Sequence, residues 1–193
     1  MIAIQEIDAY ILAGGKSLRM GEEKGLALLK GLPMVSYVIK CLESVPLPVK
    51  IVSSNLDYLQ FGLPVYADSI KGRGPMGGLF TAMEHTSAPY VLLIGCDMPF
   101  ITKKIICHLI ENSKESMITV TETNGKINPL LAIYPKAISS ELSLHLGNGK
   151  LKMQDFITSQ KHHILKMEEF EKSDPKSLTN INSKEELEFW NKL

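Results

Sequence analysis

Blocks of apolar and polar positions alternate along the chain and predict strands and helices in turn. Residues 7–13 (IDAYILA), apolar but for Asp8, read as a buried strand that ends at Gly14-Gly15. Over 34–44 the period changes: Val35, Val38, Ile39 and Leu42 fall on one helical face, and Pro33 suits the first turn. Residues 49–53 and 65–67 read as short strands, closed by Asn55 and Asp68. A glycine loop then leads to a helix over about 77–85. Residues 90–95 (YVLLIG) are continuously apolar, as in the central strand of a parallel sheet, and stop at Cys96-Asp97-Met98-Pro99.

Thr102 stands where it would cap the next helix, with Ile105, Ile106, Leu109 and Ile110 inward. Residues 117–121 and 130–134 predict strands separated by the turn Asn124-Gly125, and 137–146 and 151–157 predict helices. Residues 161–180 are polar and show no governing period. Ser183 followed by Glu186 is a capping box for a last helix ending near Trp190. This alternation implies βαβ units with right-handed crossovers. The predicted fold class is α/β: a three-layer, mostly parallel twisted sheet with helices on both faces, Rossmann-like. Ligands of such sheets bind outside the carboxyl ends of the strands. Gly14, Asn55, Asp68 and Asp97 each follow a predicted strand and therefore gather on one edge.

Composition adds bounds. A length of 193 residues is that of one domain, 1–193, able to bury a core without disulfides or a structural metal. Lys+Arg and Asp+Glu balance at 21 each, so nothing global favours nucleic acid or a membrane as partner. Cys41, Cys96 and Cys107 show no CxxC or zinc-ligand spacing, and Cys41 and Cys107 read as small core residues. No basic-then-apolar leader is seen, and no apolar stretch approaches the roughly 20 residues of a membrane span. A cytoplasmic location is the expectation.

The first loop carries the strongest chemistry. In LAGGKSLRMGEEK, Gly14 and Gly15 leave backbone N–H groups open to form an anion nest, and Lys16, Arg19 and Lys24 add cations. Gly15-Lys16-Ser17 imitates the end of a Walker A motif, but Tyr10 stands where its first glycine is required. Asp97 is the candidate Mg²⁺ ligand, since that ion takes one or two carboxylates plus substrate phosphates. The alternative is that Asp97 caps a turn before Met98-Pro99. Asp68 either accepts hydrogen bonds from a base edge or ribose hydroxyl, or closes an Asx-turn. Gly72-Arg73-Gly74-Pro75-Met76-Gly77 satisfies GxGxxG, a dinucleotide fingerprint. Pro75 removes a donor that the fingerprint needs, and residues 68–71 separate it from the strand. Backbone at Gly74, Pro75 and Gly77 fits the edge of a flat purine better. His85, late in its predicted helix, reads as a surface residue or a partner of the helix dipole.

With these residues in hand, the first loop resembles the LAGGxSxRMGxxK signature of the molybdenum cofactor guanylyltransferases. Gly31-Leu32-Pro33, Ser53-Ser54-Asn55, Asp68-Ser69 with 74–78, Cys96-Asp97-Met98-Pro99-Phe100 and Asn180-Ile181-Asn182 extend the likeness along nearly the whole chain. The resemblance implies an α/β nucleotidyltransferase that moves GMP from GTP to molybdenum-bearing molybdopterin, with Mg²⁺, releasing pyrophosphate. It implies that Leu12, Ala13, Gly14, Gly15, Lys24, Asn55, Asp68 and Asp97 contact GTP or Mg²⁺, with Gly74, Pro75 and Gly77 on the guanine side. Arg19, Lys24 and Asp97 would form the catalytic set, without a covalent intermediate. Molybdoenzymes or other cofactor-synthesis proteins are the implied protein partners. Ser53 stands where many members carry asparagine, and Lys150 and Lys152 replace part of a more Arg-rich stretch. Two alternatives stay open: a related transferase using CTP or another phosphate acceptor, and a non-catalytic nucleotide-binding protein that delivers the cofactor.

Overall fold

The computed structural model describes residues 2–14 and 23–193. Seven strands form the main sheet: β1 (Ile7–Leu12), β4 (Val49–Val52), β5 (Val65–Tyr66), β6 (Tyr90–Gly95), β7 (Ile118–Thr123), β8 (Lys126–Pro135) and β9 (His162–Lys166). Their order is β5-β4-β1-β6-β8-β7-β9, and a small hairpin pairs β2 (Leu28–Leu29) with β3 (Leu32–Pro33). The helices are α1 (Met34–Glu43), α2 (Gly74–His85), α3 (Lys103–Glu111), α4 (Ser139–Gly147), α5 (Met153–Ser159), α6 (Glu168–Ser173) and α7 (Lys184–Lys192).

Side chains of a strand point alternately to its two faces, so a strand covered on both must be apolar throughout. β1 obeys this rule. Ala9 and Ile11 pack with Val35, Val38 and Leu42 of α1 and Ile105, Ile106 and Leu109 of α3. Tyr10 faces the other way, into a core with Met76, Leu79 and Met83 of α2 and Phe156 of α5. The expected three layers are therefore present.

The sheet is parallel from β5 through β4 and β1 to β6. Beyond β6 it reverses: β8 runs antiparallel to both β6 and β7, and β9 is parallel to β7. The reversal is local chemistry. Asn124 and Gly125 both adopt positive φ (51° and 71°), the two-residue turn that suits an antiparallel hairpin. Both hairpin strands outrun their predicted lengths, because their turn-proximal ends are half-exposed and carry no apolar signal. Within the polar stretch 161–180, β9 is an edge strand with one buried side chain, Leu165. α6 and a 3-10 turn, Pro175–Leu178, follow it.

Several local expectations need correction. α2 starts at Gly74, with Pro75 in its first turn, not near residue 77. Thr102 sits at the cap position of α3 but its side chain makes no capping bond. Ser183 Oγ does accept from Glu186 N at 3.2 Å, while the Glu186 carboxylate accepts from Asn182 N, one residue before the cap. Cys96 is buried and Cys41 and Cys107 are half-buried against the core, all as free thiols. His85 is exposed in the last turn of α2 and stacks on Tyr66 at 4.1 Å. Among the described residues no helix is long and apolar enough to cross a membrane.

Candidate active site

The carboxyl ends of the parallel strands open into a cleft of about 720 Å³. Leu12, Ala13 and Gly14 form its floor as β1 ends, and Lys24 and Gly25 return over it. Asp68, Gly74 and Pro75 line one side, and Asp97 the other. Eight of the sequence-derived candidates thus share one cavity. Gly15 and Arg19 lie outside the described residues.

Asp97 stands two residues past the end of β6, after Cys96. Its Oδ2 accepts from Lys24 Nζ at 2.7 Å and its Oδ1 from Asn180 Nδ2 at 3.0 Å. Its backbone carbonyl accepts from Ile181 N at 2.9 Å. Lys24 Nζ also donates to Asn182 Oδ1 at 2.6 Å. The carboxylate therefore serves two side-chain donors, of which Lys24 lines the cleft. Gly95 allows this approach, since a Cβ there would sit 2.5 Å from Asp97 Oδ1.

Asn180 and Asn182 were not among the candidate site residues. The sequence does carry their signal: polar residues alternate with Ile181 just before the last helix. Ile181 is fully buried with Ala27, Leu29, Met34 and Leu187. That anchor brings its two neighbours to Asp97 and Lys24 from the far end of the chain.

Glu23 and Tyr58 also line the cleft without having been predicted. Glu23 Oε2 accepts from Asn55 Nδ2 at 2.6 Å. Asn55 Oδ1 in turn accepts from Asp57 N at 2.9 Å and caps the 3-10 turn Leu56–Phe61. Asn55 is thus committed to protein partners and does not line the cavity. Gly77 does not line it either. A Cβ at Gly77 would press on Arg73 Cβ (2.9 Å) and the Ile70 carbonyl (3.1 Å), so this glycine serves packing. Gly72 and Gly74 adopt φ of +73° and +56°, which explains the G-x-G spacing without a dinucleotide.

Burial pushes the Asp68 carboxyl above the ordinary aspartate value. Burial likewise pushes the Cys96 thiol up to about 12, with the neighbouring Asp97 carboxylate adding to it. Cys96 is consequently a packing residue between Gly25 and Asp97. Among the described residues no three His, Cys, Asp or Glu side chains cluster as a metal cage. A cation in this cleft would draw one carboxylate from Asp97 and further oxygens from a ligand. That donor set suits Mg²⁺ on a polyphosphate.

Residues 9–164 match the MobA-like NTP transferase domain. The chain belongs to this family. It is accordingly a nucleotidyltransferase enzyme. A Flavobacterium johnsoniae protein named "Probable molybdenum cofactor guanylyltransferase" is 33% identical, the match covering 95% of this chain and 96% of that protein. One of the same name from Carboxydothermus hydrogenoformans is 32% identical, over 96% and 95%. The crystal structure of molybdopterin-guanine dinucleotide biosynthesis protein A from Archaeoglobus fulgidus shares the fold, with a TM-score of 0.81. That match covers 96% of this chain and 97% of the other, at 22% identity. Within this MobA-like chain the domain match ends inside β9, so Asn182 reaches the cleft, and Asn180 reaches Asp97, from beyond it.

Proposed function

We propose that this MobA-like transferase moves GMP from GTP to molybdenum-bearing molybdopterin and releases pyrophosphate. The observation that carries the reading is the Lys24–Asp97 pair, held at 2.7 Å on the rim of a glycine-floored cleft. The names of the relatives in two bacteria support the choice of nucleotide and acceptor.

In this reading the triphosphate lies over Leu12, Ala13 and Gly14, where the backbone N–H of Gly14 meets its oxygens, that of Ala13 being donated to the Val52 carbonyl at 3.0 Å. Lys24 neutralises phosphate charge, and Arg19 supports the transferring group. Asp68 accepts from the nucleoside, and Gly74 and Pro75 bring backbone to the guanine edge. A phosphate oxygen of the acceptor attacks the α-phosphorus of GTP. The bond from the α-phosphorus to the bridging oxygen breaks, and pyrophosphate leaves with that electron pair. The nucleophile is already an anion, so no general base is required. Catalysis reduces to positioning and charge stabilisation. Asp97 would hold Mg²⁺ together with phosphate oxygens, and that ion would supply further neutralisation of the α- and β-phosphates. The reaction is assigned to the cytoplasm, with the product passed to molybdoenzymes or other cofactor-synthesis proteins.

Incubation with each NTP, Mg²⁺ and molybdenum-loaded molybdopterin tests the reading through pyrophosphate release. Release specific to GTP is expected. Release with CTP would reassign the base, and nucleotide binding without release would make the protein a carrier.

A further inference from the structure

We propose that Glu23 is a positioning residue: its bond to Asn55 sets the reach of Lys24 across the top of β1 to Asp97. The inference rests on the phosphate role given to Lys24 above.

The strand order is β4-β1-β6, so β1 lies between the two walls of the cleft. Ser53 and Asn55 stand just past β4, and Asp97 just past β6. Two strand spacings separate those walls, about 10 Å. Consecutive residues span that gap. Glu23 turns to the β4 wall, with Oε2 2.6 Å from Asn55 Nδ2 and Oε1 3.5 Å from Ser53 Oγ. Lys24 turns to the β6 wall and donates to Asp97 at 2.7 Å.

The β4 anchor is rigid. Asn55 Oδ1 caps the following turn through Asp57 N, and Asn55 N donates to the buried Ser53 hydroxyl at 3.1 Å. The backbone after Glu23 is equally committed. Leu26 N and Ala27 N both donate to the Glu23 carbonyl, at 3.0 and 3.2 Å, and close the turn Lys24–Leu26. Gly25 fills the space beneath, against Tyr58 and Cys96.

The charge of Glu23 points the same way. A carboxylate free to swing into a triphosphate cleft would repel the ligand, and one held on the wall is kept at a distance from it. Asn55 and Ser53 donate to it and hold it on the β4 wall. Amide-to-carboxylate bonds are charge-assisted and suited to a fixed hinge.

Four proteins decide the matter: Glu23→Ala, Glu23→Gln, Lys24→Ala and the Glu23→Ala/Lys24→Ala double variant. Misplacing a catalytic group by about 1 Å costs up to roughly a hundredfold in rate. Glu23→Ala should therefore lower kcat roughly ten- to hundredfold with little change in KM for GTP. Glu23→Gln keeps an oxygen that accepts from Asn55 and should restore turnover to within about threefold of the unaltered protein. In the Lys24→Ala background, Glu23→Ala should cost less than about twofold, because both changes act through one group. Crystal structures add a readout free of turnover: the 2.7 Å Lys24–Asp97 bond should be lost in Glu23→Ala and kept in Glu23→Gln. An intact bond in Glu23→Ala, additive losses in the double variant, or a Glu23→Gln as slow as Glu23→Ala would overturn the proposal. If the unaltered protein releases no pyrophosphate from GTP, the functional reading fails, and the crystallographic comparison still decides the role of Glu23.

Discussion

Lys24 Nζ and Asp97 Oδ2 stand 2.7 Å apart although 73 positions separate the residues in the chain. Both side chains are largely shielded, with 19% and 12% of their surface exposed. A pair this dry is sensitive to the loss of either member, since the survivor keeps a charge with poor access to water.

Asp97→Asn keeps the shape of the side chain and removes its charge. Turnover should fall by about two to three orders of magnitude, the usual cost of removing one electrostatic contact at a reacting phosphate or acyl group. The variant should also lose about 1–3 kcal/mol of stability, since Lys24 and Asn180 lose their anionic acceptor. Steady-state kinetics and thermal melts read the two effects separately. Near-normal turnover would remove Asp97 from the proposed metal site.

Gly25→Ala tests the packing beneath the pair. A Cβ at Gly25 would overlap the Tyr58 hydroxyl and sit 3.2 Å from Cys96 Cβ and Sγ. Overpacking of this kind costs about 1–3 kcal/mol. Tyr58→Phe removes the atom in the way, so the double variant should melt higher than Gly25→Ala alone. Equal melting of the two would show that the hydroxyl is not the obstacle.

Asp68 gives a pH prediction. Burial raises its folded pKa, so folding favours the protonated form. That contribution to stability is present below the unfolded pKa and is lost as pH rises through the raised folded value. Asp68→Asn should therefore melt slightly higher than the unaltered protein at neutral pH. Nucleotide affinity runs the other way: GTP binding should weaken as pH falls through the raised pKa, when the carboxylate becomes a poorer acceptor. Calorimetric titration should show this acid limb in the unaltered protein and not in Asp68→Asn.

Cys96 should be inert in the folded enzyme. A buried thiol with a pKa pushed up to about 12 holds almost no thiolate at neutral pH. Iodoacetamide at pH 7.5 should leave Cys96 unlabelled and turnover unchanged, while the urea-unfolded chain should label there. Peptide mapping by mass spectrometry distinguishes the outcomes. Labelling of the folded protein at Cys96 would contradict the packing described.

The candidate site was legible where a strand ends. A continuous apolar run marks β6 and a largely apolar one marks β1, and the first polar or glycine residues after a strand must sit at the carboxyl edge. Gly14 after β1, Asp68 after the short β5 and Asp97 after β6 follow this rule and line the cleft. Asn55 satisfied the same rule but turns to Glu23 and Asp57. Strand-end position says where a residue begins, and side-chain partners decide where it points. Gly77 shares a motif with Gly74 and Pro75 but packs against Arg73 and Ile70 and is not among the residues lining the cleft.

By itself, the sequence determined the alternation of strand and helix, the two-faced burial of β1 and β6, and the edge on which a ligand would bind. These follow from short-range periodicity, because side chains alternate across a strand and repeat along a helix. The Asn124-Gly125 turn marks the β7–β8 hairpin locally, and the tertiary structure alone decided the antiparallel pairing of β8 with β6 and the partners of Lys24. Asn182 meets Lys24 across 158 positions, and Asn180 meets Asp97 across 83. No local period encodes such a meeting. It depends on Ile181 burying itself beside Ala27, Leu29 and Met34, which brings the end of the chain back to the cleft that its beginning opens.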